Sequence, residues 1–600
     1  MGTVSTRSQN RKQSNAAATT GSAPSDAPVT GVMTERTWMI ASASIVLVAA
    51  FLRLYDLGLV PFHHDEGVNG NFLARLVREG SYHYDPQNYH GPTLYYFAAI
   101  FPWIVRGLFG IGAQDKYGLT DVAVRMVPAL FGIATILLVL TLRRHLGTIA
   151  TLGAASLLAI SPGAIYLSRY FIHETQFVFF TLAIVVAALK FYDDPHPLFL
   201  VAAALCAGLL FATKETAMIS AAVLMIALVL TQGYRQVVAR SQPGGRGKKK
   251  KQQGKQETKG NFVTRARGRS TLTLWLVIAL LVFIAVNIFF YSSFFTNFPQ
   301  GVYDSLRTFQ FWTRTGKKDH LHPFATYLWW LLLQESPLLL LGTCGALLTV
   351  LRPAKSFAIF SALWAFGLLG AYSLIGYKTP WLALNFLVPL ALTSGVALQW
   401  TYEKLREYQL GESARWLALA AILLVAIGPL PGIARIFEQV ASTTPWPGLL
   451  KALTASEVHG KTFIPGYQTV DLNFFNYDND NRYYVYVYAH TRRETLKLID
   501  LINNIAQRTP QGNETGITIV SQDYWPLPWY LRNYKRVGYF GHMSPSTEPI
   551  IIARSDQAAE VQTNFGDRYQ LVQSGFNPAG SFPLRPGVDL LLYTRRELVP

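Results

Sequence analysis

Cysteine is almost missing: Cys206 and Cys344 are the only two in 600 residues, and both lie inside apolar runs. That excludes a disulfide-stapled scaffold and argues against a cysteine metal site. Charge is scarce too. Only 15% of the residues are Asp, Glu, Lys or Arg, against roughly 25% in soluble proteins. No Gly-rich phosphate loop opens a helix after a strand, so no nucleotide-binding fingerprint is present. What the chain has instead is apolar and aromatic residues. Half of it is hydrophobic, with 13 Trp, 30 Tyr and 36 Phe, and the mean hydropathy is +0.22. This composition excludes disorder and collagen and points to a membrane protein.

The net charge of +18 is unevenly placed. Residues 234–270 hold twelve Lys/Arg and one Glu, a net +11, so the rest carries only +7. A short basic run beside an apolar span marks the cytoplasmic side and attracts anionic lipid, which argues against nucleic-acid binding. Residues 1–36 are rich in Ser, Thr, Ala and Gly and read as a disordered cytoplasmic tail. The apolar run at 38–54 lacks a small-residue cleavage site and ends in Arg53, so it reads as an uncleaved first span. Further spans are expected near 121–142, 148–168, 172–190, 197–213, 215–232, 271–295, 324–350, 356–376, 380–400 and 415–437. The run at 92–110 is interrupted by Pro102 and Arg106. If the tail and the basic loop are both cytoplasmic, an even number of crossings separates them. Residues 92–110 are then an outer-face helix or re-entrant segment, leaving eleven crossings, with the C-terminus outside. After residue 438 the pattern changes. VYVYAH (485–490), ITIVSQ (517–522), RVGYFG (536–541), PIIIAR (549–554) and DLLLYT (589–594) read as strands, with helices near 492–507 and 556–564. The fold class is therefore a polytopic helical membrane protein, residues 37–437, with a C-terminal extracytoplasmic α/β domain, residues 438–600.

Ionisable residues gather at one set of span ends. The first outer loop region, 55–120, contains His63-His64-Asp65-Glu66. Two carboxylates there can meet a lipid headgroup and a polar acceptor, although Asp-Glu at a loop–helix junction also suits an N-terminal cap. Arg169, Glu174, Lys214, Glu215, Lys378, His320 and His322 fall on the same expected face. Charges at membrane depth are costly and mark functional candidates, with interfacial anchoring or a Lys214–Glu215 pair as the structural alternative. Seven of twelve histidines also fall there, and His63, His64, His320 and His322 are candidate ligands for a divalent metal. None has a tight ligand spacing such as H-E-x-x-H.

The order of these motifs resembles a known family. The H-D-E loop is followed by G-P-x-L-Y-Y-F at 91–97, Arg125 in VAVRMVPALFG, SR at 168–169, GLLFATK at 208–214, H-x-H-P-F-A-T-Y at 320–327 and YKTPW at 377–381. Over roughly 38–400 the chain resembles the GT-C membrane glycosyltransferases. The nearest branches are the dolichyl-phosphate-mannose–protein mannosyltransferases, the aminoarabinose lipid transferases and a prokaryotic subfamily labelled flippase-activity-associated. The resemblance implies a catalytic carboxylate at Asp65 with Glu66 beside it, and a second acidic residue at Glu174. It implies donor-phosphate contacts from Lys378, with Lys214, Arg169 and His90 as further cations. His90 stands where the aminoarabinose transferases carry a lysine. The expected reaction is inverting single displacement from a polyprenyl-phosphate sugar to a lipid, glycan or protein acceptor. A non-catalytic helper of lipid-linked glycan translocation and a transporter are the alternatives. No internal repeat in the hydropathy supports the transporter.

Overall fold

The computed structural model describes residues 33–88, 90–109, 115–241, 269–312, 320–352, 355–427, 457–458, 461–462, 468–480, 484–573, 576 and 579–598. Most of the expected N-terminal tail, the centre of the basic loop, and residues 428–437 of the last expected span lie outside the described residues.

The helical part runs α1 (Glu35–Leu54), α2 (His64–Glu79), α3 (Thr93–Phe109), α4 (Asp121–Leu140), α5 (Thr148–Ile160) and α6 (Pro162–Ser168). It continues α7 (Glu174–Asp193), α8 (Pro197–Phe211), α9 (Ala217–Ser241), α10 (Arg269–Tyr291) and α11 (Gln300–Trp312). Then come α12 (Thr326–Gln334), α13 (Ser336–Leu351), α14 (Ser356–Leu374), α15 (Leu384–Glu407) and α16 (Glu412–Ile427). Among the described residues seven helices are long and apolar enough to cross a membrane, or nine if each of two bent pairs is one span. The chain is a multi-pass membrane protein. α15 is buried over nearly all of residues 384–398, whereas α1 and α10 expose most of their length. The 92–110 run is a 17-residue helix, α3, containing Pro102.

Two expected spans are broken. The 148–168 run bends by 60° at Ser161, and the 324–350 run bends by 113° at Glu335. Each break precedes a proline, Pro162 or Pro337, whose missing N–H leaves a carbonyl without its helical donor. Lipid offers no water to replace it. Arg53 Nη2 donates to Leu158 O at 3.2 Å, and its Nη1 to Ala159 O at 3.1 Å. The second break answers the first. Glu335 Oε1 accepts from Ser161 Oγ at 2.9 Å and from the freed Gly163 N–H at 2.7 Å. A buried carboxylate thus joins two helix breaks that are far apart in sequence.

The C-terminal domain holds strands β1 (Ile517–Ile519), β2 (Val537–Tyr539), β3 (Ile550–Arg554), β4 (Tyr569–Leu571), β5 (Phe582–Arg585) and β6 (Val588–Arg595). They form one sheet in the order β2-β1-β3-β6-β4, with β5 also on β6. The first three are mutually parallel, and β6 is antiparallel to β3. Helices α17 (Thr495–Arg508) and α18 (Ala558–Phe565) cover opposite faces. Ile550 and Ile552 pack with α17, while Ile551 and Ala553 pack with α18. Burial on both faces explains the uninterrupted apolar run of β3. VYVYAH at 485–490 is not a strand. Its residues lie against the helical domain, with Val485, Tyr486 and Val487 in the membrane-domain core. The alternation that suggested a strand reflects packing against helices.

The two parts are joined closely. Trp529 stacks on Phe62 at 4.6 Å and 4°, its Nε1 donates to Asp121 at 2.7 Å, and Tyr530 Oη accepts from Phe62 N–H at 2.8 Å. Gly70 of α2 lies under the Trp529 ring, where a Cβ would stand 2.6 Å from a ring carbon. Glycine is required by this approach.

Candidate active site

A cavity of about 450 Å³ lies where α2, the 90–93 strap, the 212–216 turn and the 375–382 segment meet. It is lined by Asp65, Glu174, Lys214, Glu215, His64, His90 and His320, together with Thr216, Tyr372, Thr379 and Trp381. Most of the residues singled out from sequence therefore do converge.

Asp65 sits in the first turn of α2, half-buried, facing the cavity. Among the described residues its carboxylate makes no hydrogen bond or ion pair. Only its backbone N–H is engaged, donating to His63 Nδ1 at 3.0 Å. Glu66, one residue on, is fully buried and points elsewhere. Arg125 donates to it through Nε at 2.7 Å and Nη2 at 2.6 Å, and the backbone N–H groups of Phe171 and His63 add bonds of 2.8 and 3.1 Å. Arg125 also donates to Val60 O at 2.7 Å and Leu57 O at 3.1 Å. This charge-assisted knot fixes the start of α2 against α4 and so sets the direction of Asp65. Glu66 is a structural pin rather than a reacting group.

His63 completes the setting. It caps α2 in a capping box with Glu66. Its Nε2 lies 3.0 Å from Tyr488 O, a proton acceptor, so that nitrogen carries the hydrogen and Nδ1 accepts. The ring stacks on His490 at 5.3 Å. Burial pushes the His63 imidazole down to about 3 and the His64 imidazole down to about 4. Both stay neutral in the fold, whereas an unfolded imidazole protonates near 6.5. The stability tied to neutral His63 is therefore present above pH 6.5 and is lost as pH falls toward 3. His63→Gln keeps a donor toward Tyr488 and loses the cap. We expect it to be about 1 kcal/mol less stable than wild type at pH 7.5. In acid the difference should narrow or reverse, because glutamine has no proton to gain. Thermal unfolding in detergent across pH 4–8 measures it.

The 90–93 strap lies against the 212–214 turn. Gly91 N–H donates to Thr213 O at 3.0 Å, and a Cβ on Gly91 would stand 2.0 Å from Ala212 O, so only glycine fits. The strap carries His90 to Glu215, with Nδ1 3.1 Å from Oε2. Lys214 is buried and pairs with Glu174, not with its neighbour Glu215. Burial alone would lower the Lys214 pKa, but Glu174 and Glu215 outweigh it and raise it. Burial alone would raise that of Glu215, but His90 and Lys214 hold it below the usual carboxylate range.

Besides Glu66, three expected assignments change. Lys378 does not line the cavity. Its ammonium donates to Ile375 O, just past the end of α14, and, at 3.3 Å, to His322 O in the segment before α12. Arg169 donates to Tyr55 O at 2.5 Å and Asp56 O at 2.7 Å, just past the end of α1, and lies over the Phe474 ring. Neither is placed for a donor phosphate. The four histidines considered for a metal are also not one ligand set. Both nitrogens of His63 are engaged, His320 Nδ1 lies 2.8 Å from Tyr488 Oη, and the His322 ring packs on Trp330. Among the described residues no group of three His, Cys, Asp or Glu stands close enough to hold a metal ion.

The sequence reading missed Tyr488, Trp381, Thr216, Tyr372 and Thr379. Thr379 and Trp381 lie within the YKTPW motif, so a signal existed. Tyr488 arrives from the C-terminal domain, and nothing local announces it.

Residues 98–244, about a quarter of the chain, match the family model described as dolichyl-phosphate-mannose-protein mannosyltransferase. No curated protein matches the chain in sequence. Among solved structures it is similar to ArnT from Cupriavidus metallidurans bound to undecaprenyl phosphate. The identity is 13% and the TM-score 0.57, with 94% of this chain and 100% of that one covered. It is also similar to the archaeal oligosaccharyltransferase AglB from Archaeoglobus fulgidus, in complex with an inhibitory peptide and a dolichol-phosphate. There the identity is 14% and the TM-score 0.51, with 91% of this chain and 74% of that one covered. The chain has the GT-C fold, a helical membrane domain followed by a C-terminal α/β domain. The family match supports a glycosyltransferase that uses a lipid-linked donor.

Proposed function

We propose that the protein transfers a sugar from a polyprenyl-phosphate donor to a hydroxyl acceptor on the outer face of the membrane. The observation that carries this reading is a single cavity whose lining holds both a half-buried carboxylate, Asp65, with no hydrogen bond or ion pair among the described residues, and a buried ammonium, Lys214. Asp65 takes the proton of the acceptor hydroxyl as its oxygen attacks the anomeric carbon. The bond to the donor phosphate breaks on the opposite side, so the anomeric configuration inverts. Lys214 and His90, rather than Lys378, stabilise the phosphate as it leaves. The lining holds three carboxylates against one ammonium. The phosphate must therefore share Lys214 with Glu174, and His90 adds a ring nitrogen at the same wall. His64 and His320 line the same space and are available as further donors.

The fold and the match to relatives with lipid-phosphate ligands support the donor class. The test is reconstitution in nanodiscs with a polyprenyl-phosphate sugar pool extracted from the native membrane. Transfer should release free polyprenyl phosphate and give a product of opposite anomeric configuration, read by NMR. Retention of configuration would rule out single displacement.

A further inference from the structure

Three hydroxyl groups in the cavity lining have almost nothing to bond. Thr216 is 5% exposed, Tyr372 2% and Thr379 0%, and all three face the cavity. Tyr372 Oη and Thr216 Oγ lie next to one another, close enough to pair, and among the described residues neither has any other partner. Thr379 Oγ has no partner among the described residues. They come from two chain segments, the turn before α9 and the end of α14 with its following loop. Buried hydroxyls short of partners are costly to the fold. A cluster of them beside a cavity marks the place of a polar ligand.

The chemistry of that ligand follows from what the cluster lacks. Each hydroxyl has one hydrogen and two lone pairs, so lone pairs outnumber donors. Glu174 and Glu215 add further acceptors on the same lining. A phosphate brings only acceptors and would leave these lone pairs unmet. A sugar ring brings several O–H donors that also accept, and half-buried Trp381 offers an apolar face beside them. We propose that Thr216, Tyr372 and Thr379 form the seat for the hydroxyls of the donor sugar, apart from the groups that hold its phosphate. This rests on the reading of the protein as a lipid-linked-sugar transferase.

The experiment compares undecaprenyl phosphate with its mannose, glucose and galactose esters, measuring binding to the full chain in nanodiscs. Wild type should bind at least one ester more tightly than the bare lipid phosphate. Tyr372→Phe and Thr379→Val should each reduce that gain by about tenfold, the loss of one hydrogen bond of ordinary strength. Binding of undecaprenyl phosphate itself should stay within about twofold of wild type. Each substitution replaces a hydroxyl short of partners by an apolar group of similar shape, so thermal stability should hold or rise. A clear fall in stability would show that the hydroxyls serve the fold. An ester gain that survives both substitutions, an equal loss for ester and bare phosphate, or no gain for any ester would overturn the sugar seat. Failure of wild type to bind any of these lipids would overturn the functional reading instead.

Discussion

Asp65→Asn should reduce sugar transfer by about 10²–10⁴-fold, the range that a positioned general base supplies. Asparagine keeps the shape and loses the proton acceptor. Fold and donor binding should stay nearly intact, because the Asp65 carboxylate supports no hydrogen bond among the described residues, and its backbone N–H bond to His63 survives the change. The measurement is single-turnover transfer with saturating donor, together with thermal unfolding of the same preparation. Wild-type transfer in the variant would remove Asp65 from the chemistry. A matching loss of stability would make it a structural residue like its neighbour.

Glu66→Ala should behave in the opposite way. It leaves Arg125 buried with its positive charge uncompensated, which costs about 3–5 kcal/mol. A large drop in the unfolding midpoint in detergent is expected, and activity should fall because the start of α2 is no longer held. Arg125→Met in the same chain should recover part of the loss, since removing both charges is cheaper than removing one. The sum of the two single effects should exceed the double effect by about 1–3 kcal/mol. Additive effects would mean that the two side chains do not act as a unit.

The contrast between Asp65 and Glu66 shows what a sequence can and cannot display. The pair stood out as two adjacent carboxylates past a span. Adjacent residues on a helix point about 100° apart, so one faces the cavity and the other the core. Nothing in the motif says which, until Arg125 is placed. The spans themselves were legible, because an apolar run of spanning length has few other uses. The breaks at Ser161 and Glu335 were less so, although Pro162 and Pro337 were visible. A proline break in lipid needs neighbours that satisfy the freed groups, and here Arg53 donates to the freed carbonyl while Glu335 accepts from the freed N–H.

The cations misled for one reason. Arg169 and Lys378 each donate to carbonyls at the end of a helix, as Arg53 does at a helix break. A cation near a span end was read as a phosphate contact, yet orphan carbonyls compete for it wherever water is excluded. Lys214 escapes that fate because Glu174 holds it at the cavity wall. The C-terminal strands at 517–519, 550–554 and 588–595 were legible from β-branched and leucine runs. VYVYAH was not, since the same alternation serves a segment laid on helices.

The most direct test of the central claim follows the donor itself. Purified protein in nanodiscs is supplied with the native membrane's polyprenyl-phosphate sugars, and the lipid is analysed by mass spectrometry over time. Catalysis predicts that wild type converts the sugar-bearing lipid to free polyprenyl phosphate when the native acceptor fraction is present, and that Asp65→Asn leaves it intact. A wild-type protein that binds the donor yet leaves it chemically unchanged with the acceptor fraction present would contradict this account and favour a translocation helper.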